Sequence, residues 1–128
     1  MPSTQPGGRA NYRIEGTGTA TIVHVFDEID IANARMLGDA LFGSLERGRP
    51  VIVDLTALGY IDSVGLHILL RLFQRAEIAR VDAVLVATGL IRQLVDQVGL
   101  DRIVPVMPDT VAAMEAVKTK SRSSAPPK

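Results

Sequence analysis

Short apolar runs alternate along this chain with stretches of helical periodicity. The runs at residues 19–26, 51–55 and 83–87 are rich in β-branched residues and apolar on both faces, which is typical of strands buried between two layers. Strands that alternate with helices need crossover connections, and these connections produce a mainly parallel sheet. The alternation therefore predicts an α/β fold.

Aliphatic residues recur at helical spacing between the apolar runs, and they predict about four helices. The first helix is expected to end at Gly48, the second to begin at Ser63 and the third to end at Gly99. Asp109 or Thr110 can cap the last helix, because both side chains accept a hydrogen bond from a free backbone N–H group.

Two further strands complete the predicted sheet, an N-terminal one at residues 12–15 and a short last one at 102–104. We expect one α/β domain over residues 11–117, with a mixed, mainly parallel sheet of four or five strands. Its core is expected to use nearly every apolar side chain. Residues 1–10 are expected to form a flexible lead, and residues 118–128 a disordered basic tail.

Composition excludes several classes of function. The chain has no cysteine, so disulfides, thiolate zinc sites and cysteine nucleophiles are absent. Two histidines without cysteine make no convincing metal site, and His24, inside a predicted strand, is expected to be structural. No apolar run approaches the ~18 residues that span a bilayer, and the N-terminus lacks a signal peptide. We therefore expect a cytoplasmic protein that contacts no membrane.

Charge is distributed unevenly. The last eleven residues contain four of the fourteen basic side chains and no acidic one, which leaves ten basic and fourteen acidic side chains in the rest of the chain. An acidic body has no general attraction for nucleic acid, whose phosphates need a basic surface. The sequence also lacks a glycine-rich phosphate loop, so we expect no bound nucleotide and no other cofactor.

The segment at residues 51–70 is the most informative part of the sequence. A strand ends near Leu55, a turn passes Gly59, and a helix follows. Functional groups of open α/β sheets gather at such strand ends, and free N–H groups at a helix start favour anions. Asp62 or Ser63 can equally be a simple helix cap. Gly65 costs ~1 kcal/mol against alanine in a helix, which indicates a close approach to the backbone by a docked partner or a modifying enzyme.

The segment from Asp62 to Leu66, Asp-Ser-Val-Gly-Leu, resembles a motif of the STAS domain family, which includes the bacterial anti-sigma factor antagonists. The resemblance extends over residues 11–117. Residues 26–30 are similar to the Gly-Glu-Leu-Asp turn that the family has after its second strand. Three further segments resemble the family's third helix, the exit from that helix and the approach to its last helix, namely residues 88–94, 98–100 and 104–109.

The resemblance implies a phosphorylation switch at Ser63. In such antagonists the first serine of this motif is phosphorylated by an anti-sigma factor that is a serine kinase. The unphosphorylated antagonist binds that kinase and frees a sigma factor, and phosphorylation inactivates it, which is partner switching in transcription regulation. The family often has a second hydroxyl residue where this chain has Val64. Asp30 matches the family aspartate that meets the kinase, and Asp27 replaces the usual glycine of that turn.

The same resemblance implies the remaining features of the site. Partner-binding residues are expected at Asp30, Asp62, Val64 and Gly65, with no catalytic residue in this chain. ATP is expected to be used by the partner kinase, and a phosphatase is a further implied partner. The protein itself is expected to be a monomer or a weak dimer.

Two alternatives remain open at the level of sequence. Ser63 and His67 are one helical turn apart and Asp62 is adjacent, which imitates a catalytic trio, but an adjacent aspartate is poorly placed to orient that histidine and the leading glycine of a nucleophile elbow is missing. The other alternative keeps the STAS fold as a scaffold or a small-ligand or lipid-binding module, in which Ser63 is only a helix cap.

Overall fold

The structure, a computed structural model, describes the backbone of residues 11–123 and the side chains of residues 11–117. Five strands form one sheet in the order β1-β2-β3-β4-β5, with β1 antiparallel to β2 and the other neighbours parallel. The elements are β1 (Tyr12–Gly16), β2 (Thr21–Ile29), α1 (Ala34–Glu46), β3 (Val51–Ile61), α2 (Ser63–Ala79), β4 (Ala83–Val86), α3 (Gly89–Gln97), a 3₁₀ turn (Leu100–Arg102), β5 (Val106–Met107) and α4 (Thr110–Ser123). This architecture confirms the predicted α/β fold.

The sheet is covered on both faces, which explains why its strands are apolar throughout. Alternate residues of a strand point to opposite faces, so each strand contributes to two cores. The larger core joins one face to α1, α2 and α3, and its strand residues include Val23, Val53 and Leu85. The smaller core joins Ile22 and Ile52 on the other face to α4.

Strands β2 and β3 are longer than the sequence indicated. The segment expected to turn at Gly59 is strand up to Ile61, and residues 26–29 continue β2 instead of forming a turn. Breaks in register between His24 and Phe26 and between Asp27 and Glu28 let the two strands stay paired. The residues of these extensions are largely exposed and form no apolar run, so the sequence pattern does not reveal them. The predicted turns were wrong because backbone pairing between the two strands continues across the breaks in register.

The C-terminal third also departs from the prediction. Residues 100–102 form a 3₁₀ turn, and the last strand lies at Val106–Met107, where Val106 pairs with Leu85 of β4. The predicted strand at 102–104 was wrong because Val104 is buried as a core residue beside Leu100, without a strand partner. Helix α4 continues to Ser123, so the predicted disordered tail is helical over residues 118–123. The predicted flexible lead, residues 1–10, lies outside the described residues, and so do residues 124–128 of the predicted tail.

The expectation that the core would use nearly every apolar side chain was also wrong. Several large apolar side chains of the described region are exposed, because they lie on helix faces or turns that no other element covers. They include Ile31 (77%), Leu90 (66%), Val98 (53%), Val111 (72%) and Ile78 (81%). In the part of the chain that is described, no helix is both long and apolar enough to cross a bilayer.

His24 links three strands on the face that α4 partly covers. Its Nδ1 atom lies 2.8 Å from Oδ2 of Asp54 on β3, and its Nε2 atom lies 2.8 Å from Oε1 of Glu15 on β1. Asp54 also accepts hydrogen bonds from the backbone N–H (3.0 Å) and the hydroxyl (2.7 Å) of Thr56. This histidine is therefore positioned as a structural residue that ties the edge strand to the sheet centre.

We expect the free energy of unfolding of Asp54→Asn to fall less than that of the unsubstituted chain as the pH is lowered from about 6 to 2. Burial of Asp54 opposes its ionisation, but the hydrogen bonds from Thr56 and His24 outweigh burial and hold its pKa below the ordinary value. Because the folded-state pKa is the lower one, the ionised group stabilises the fold above its unfolded-state pKa, and this contribution disappears as pH falls through the folded-state pKa. Urea unfolding from about pH 6 to pH 2 measures the difference. Asp39→Asn, at an exposed position, is the control, and equal profiles for Asp54→Asn and the unsubstituted chain would contradict the prediction.

Candidate functional site

The ends of β2 and β3 bring the candidate residues together. Ile29 pairs with Ile61, and the N–H of Asp62 donates to the carbonyl of Ile29 at 3.1 Å. Neighbouring strands lie ~4.8 Å apart, so Asp30 follows one strand end directly beside the start of α2. Asp30, Asp62 and Ser63 thus share one edge of the sheet, at the carboxyl ends of its parallel strands.

Asp62 caps α2, and Ser63 does not. The backbone of Asp62 is extended (φ −96°, ψ −176°), and its Oδ1 atom accepts the N–H of Gly65 at 3.0 Å. Ser63 is the first residue of the helix and is exposed. Of the two residues that the sequence offered as caps, the fold uses the aspartate, and the serine hydroxyl is not needed to start the helix. The N–H groups of the first turn also favour negative charge at this position.

Asp30 closes the turn that leads from β2 to α1. Its Oδ1 atom accepts the N–H of Ala32 at 2.9 Å and that of Asn33 at 3.3 Å. The buried Asn33 holds the turn from the other side, since its amide donates to the carbonyl of Glu28 at 2.9 Å. The half-buried Asp30 therefore has a structural role, and the same contacts hold it in one place beside α2.

Asp27, at the position where the resemblance implies a glycine, lies in β2 at the second break in register. Its φ is +66°, in the left-handed region that glycine occupies without strain and aspartate tolerates better than most residues. The opposite strand comes close here, since a Cβ atom on Gly59 would lie 3.3 Å from the carbonyl oxygen of Asp27. The local backbone thus explains why a glycine would suit this position.

Packing contacts within the domain explain why position 65 is a glycine. Gly65 is buried, and a Cβ atom at this position would lie 2.6 Å from Cγ2 of Ile29 and 2.8 Å from Cγ1 of Ile61. The close approach that the glycine indicated therefore comes from the ends of β2 and β3, and the inference that a docked partner or modifying enzyme requires it was wrong. Gly65 positions the start of α2, and with it Ser63, tightly against the sheet.

Exposed apolar side chains lie beside Ser63 on the α1 side. Val64 is 37% exposed and Ile31, in the turn before α1, is 77% exposed. Both line a groove between the two helices, called here the α1–α2 groove, together with Ala34, Arg35, Gly38, Asp39, Phe42, Ile68 and Arg71. No periodic pattern in the sequence indicates Ile31, because it lies in a turn, outside every helical stripe and strand alternation.

A second groove lies on the other side of the helix start. It is lined by Ser63 and His67 of α2 and by apolar side chains of α2 and of the exit from α3, and it is called here the Ser63 groove; the apolar residues are Leu66, Leu70, Val98 and Leu100. Val98 is 53% exposed. Ser63 thus stands between two shallow, mostly apolar grooves.

The geometry is unfavourable for the catalytic trio that the sequence allowed. The carboxylate of Asp62 is engaged with the N–H of Gly65, so it does not orient His67. Among the residues whose side chains are described, no group of three or more histidine, aspartate or glutamate side chains is arranged to hold a metal ion.

The comparisons identify the family. The model of the STAS domain matches residues 11–113, and the chain therefore belongs to the STAS domain family. This confirms the resemblance seen in the sequence. A comparison with curated proteins found no match.

Solved structures of anti-sigma factor antagonists have the same fold. One from Mycobacterium paratuberculosis is 28% identical with a TM-score of 0.78, covering 84% of this chain and 92% of its own. An anti-sigma factor antagonist (STAS) domain protein from Planctomyces limnophilus is 17% identical with a TM-score of 0.73, covering 86% of this chain and 99% of its own. The phosphorylated form of SpoIIAA, a Bacillus cell fate determinant, is 16% identical with a TM-score of 0.65, covering 82% and 98%.

Proposed function

We propose that this chain is a cytoplasmic bacterial anti-sigma factor antagonist whose activity is switched off by phosphorylation of Ser63. In the unphosphorylated state it binds an anti-sigma factor that is also a serine kinase, and a sigma factor is released. The observation that carries the proposal is the position of Ser63, which is exposed at the first residue of α2 while Asp62 supplies the cap. Its hydroxyl is thus available to a kinase without any cost to the helix.

The surroundings of Ser63 support a docking surface. Exposed apolar side chains lie close to it, namely Ile31 and Val64, and apolar area that is removed from water favours association. The half-buried carboxylates of Asp30 and Asp62 lie at the same edge of the sheet. We therefore propose that the partner binds a docking surface formed by Asp30, Ile31, Asp62, Ser63 and Val64. The buried Gly65 contributes by letting the start of α2 pack closely against the sheet.

The chemistry of the switch needs no cofactor in this chain. The kinase binds ATP and transfers its γ-phosphoryl group to the Oγ atom of Ser63. The bond from phosphorus to the ADP oxygen breaks, the bond to Oγ forms, and the hydroxyl proton passes to a base of the kinase. A phosphatase that removes the phosphate would reset the antagonist.

The experiment that tests the proposal is incubation of the chain with ATP and purified anti-sigma factor kinases, followed by mass spectrometry of the peptide that contains Ser63. We expect one added phosphate on Ser63 with the cognate kinase and none on Ser63→Ala. Modification at another residue, or none with every kinase, would reject the switch and favour a passive STAS module that serves as a scaffold or binds a small ligand or lipid.

Ile31→Glu is expected to weaken binding of the kinase by roughly tenfold or more, because it replaces an exposed apolar contact at the docking surface with a charge. Ile78→Glu is the matched control. Ile78 is equally exposed (81%, against 77% for Ile31), but it lies near the end of α2, roughly 22 Å along the helix from Ser63. Titration calorimetry with the kinase measures both variants, and equal losses of affinity would place the partner elsewhere.

A further inference from the structure

Ser63 and His67 line the same groove, and the proposed switch assigns no role to the histidine. The two residues are one helical turn apart on α2 and line the same wall of the Ser63 groove. Residues four apart on a helix are neighbours, with Cβ atoms ~5–6 Å from each other. Side chains of a helix lean toward its N-terminus, so the exposed imidazole of His67 extends over the turn that begins with Ser63.

Ser63 and His67 are the polar residues among those that line the Ser63 groove. Leu66, Leu70, Val98 and Leu100 form the rest of its lining, and none of them can donate a hydrogen bond to an anion. A phosphate on Ser63 would extend about one bond length beyond the hydroxyl and carry −1.5 to −2 charges near neutral pH. In this groove, His67 is the one side chain that can neutralise it.

We propose that His67 binds the phosphate of phosphorylated Ser63 and is the positioning residue of the modified state, an inference that rests on the proposed function. The imidazole can donate a hydrogen bond to a phosphate oxygen, and in its protonated form it pairs with the negative charge of the phosphate. The pair holds the phosphate against α2 in the Ser63 groove, which borders the docking surface at Ser63.

Three charged residues, in α2, in α3 and just before α2, have other contacts or line another groove, namely Asp62, Arg71 and Arg92. Asp62 caps α2, Arg71 lines the α1–α2 groove, and Arg92 of α3 pairs with Asp96 at 2.9 Å. Asp101 and Arg102 are exposed in the 3₁₀ turn that follows the groove. A phosphate on Ser63 would add a negative charge one helical turn from His67.

The test uses proton NMR of the full chain with phosphoserine placed at position 63 during synthesis, compared with the unmodified chain. The protein has two histidines, so His24, held between Glu15 and Asp54 on the sheet, is an internal reference. We expect the titration of the His67 ring to move to higher pH by roughly half a pH unit or more, and that of His24 to stay in place. In His67→Gln, the phosphorus resonance is expected to titrate at higher pH than with His67 present.

Identical His67 titrations in the modified and unmodified chains would overturn the inference, as would equal shifts of both histidines. Because the phosphoserine is introduced without a kinase, the two hypotheses fail separately. A His67 shift in a chain that no kinase modifies would reject the proposed function and leave the contact standing. Kinase modification of Ser63 with no His67 shift would reject the contact alone.

Discussion

Phosphorylation of Ser63 is expected to weaken binding of the partner kinase by roughly 30-fold to several thousand-fold, with Ser63→Asp near the lower end and Ser63→Ala unchanged. Burying the phosphate against a partner surface that has no group to receive it costs ~2–5 kcal/mol, which converts to this range of affinity. Titration calorimetry with the purified kinase measures each variant.

The control for the Ser63 series separates local charge from net charge. Gln74→Glu adds one negative charge to an exposed position of the same helix, roughly 16 Å further along it, and is expected to bind normally. The fold should tolerate Ser63→Asp, since an acidic side chain at a helix N-terminus is favourable, and thermal unfolding checks this. Equal affinities of Ser63→Ala and Ser63→Asp would contradict the switch.

Gly65→Ala is expected to destabilise the fold by about 1–2 kcal/mol, although alanine is the better helix former. The new Cβ atom would lie 2.6 Å from Ile29 and 2.8 Å from Ile61, and these isoleucines are buried at 0% and 4% exposure. Contacts this short place the overpacking cost in the upper part of the usual ~1–3 kcal/mol. Subtracting the ~1 kcal/mol that alanine gains over glycine in a helix leaves a net loss of about 1–2 kcal/mol. Urea unfolding measures the difference.

Gly43→Ala is the matched control for this substitution. Gly43 also lies within a helix, α1, but a Cβ atom there would meet nothing within 4 Å. The same chemical change should therefore stabilise the protein by up to ~1 kcal/mol. Opposite signs at the two glycines are the expected result, and a Gly65→Ala variant as stable as the unsubstituted chain would show that α2 is not held against the strand ends as described.

Local features of the sequence predicted the elements that depend on local interactions. The β-branched runs indicated β2, β3 and β4, and the start of α2 at Ser63 followed from the cap preference of the residues around it. The same information misplaced the ends of β2 and β3, because their extension depends on pairing between exposed residues. It also misjudged Gly65, since Ile29, which approaches it most closely, lies 36 positions earlier in the sequence on β2.

The order of apolar runs, caps and breakers in the sequence by itself determined the α/β class and the presence of a serine at the start of the second helix. These follow from backbone propensity and hydrophobic burial, which act over a few residues. Only the tertiary structure decided that Ser63 lies beside Asp30, that Ile31 and Val98 remain uncovered, and that the exit from α3 forms a groove with Ser63 and His67. Strand register and the gaps between packed helices set those relations, and no short stretch of sequence contains them.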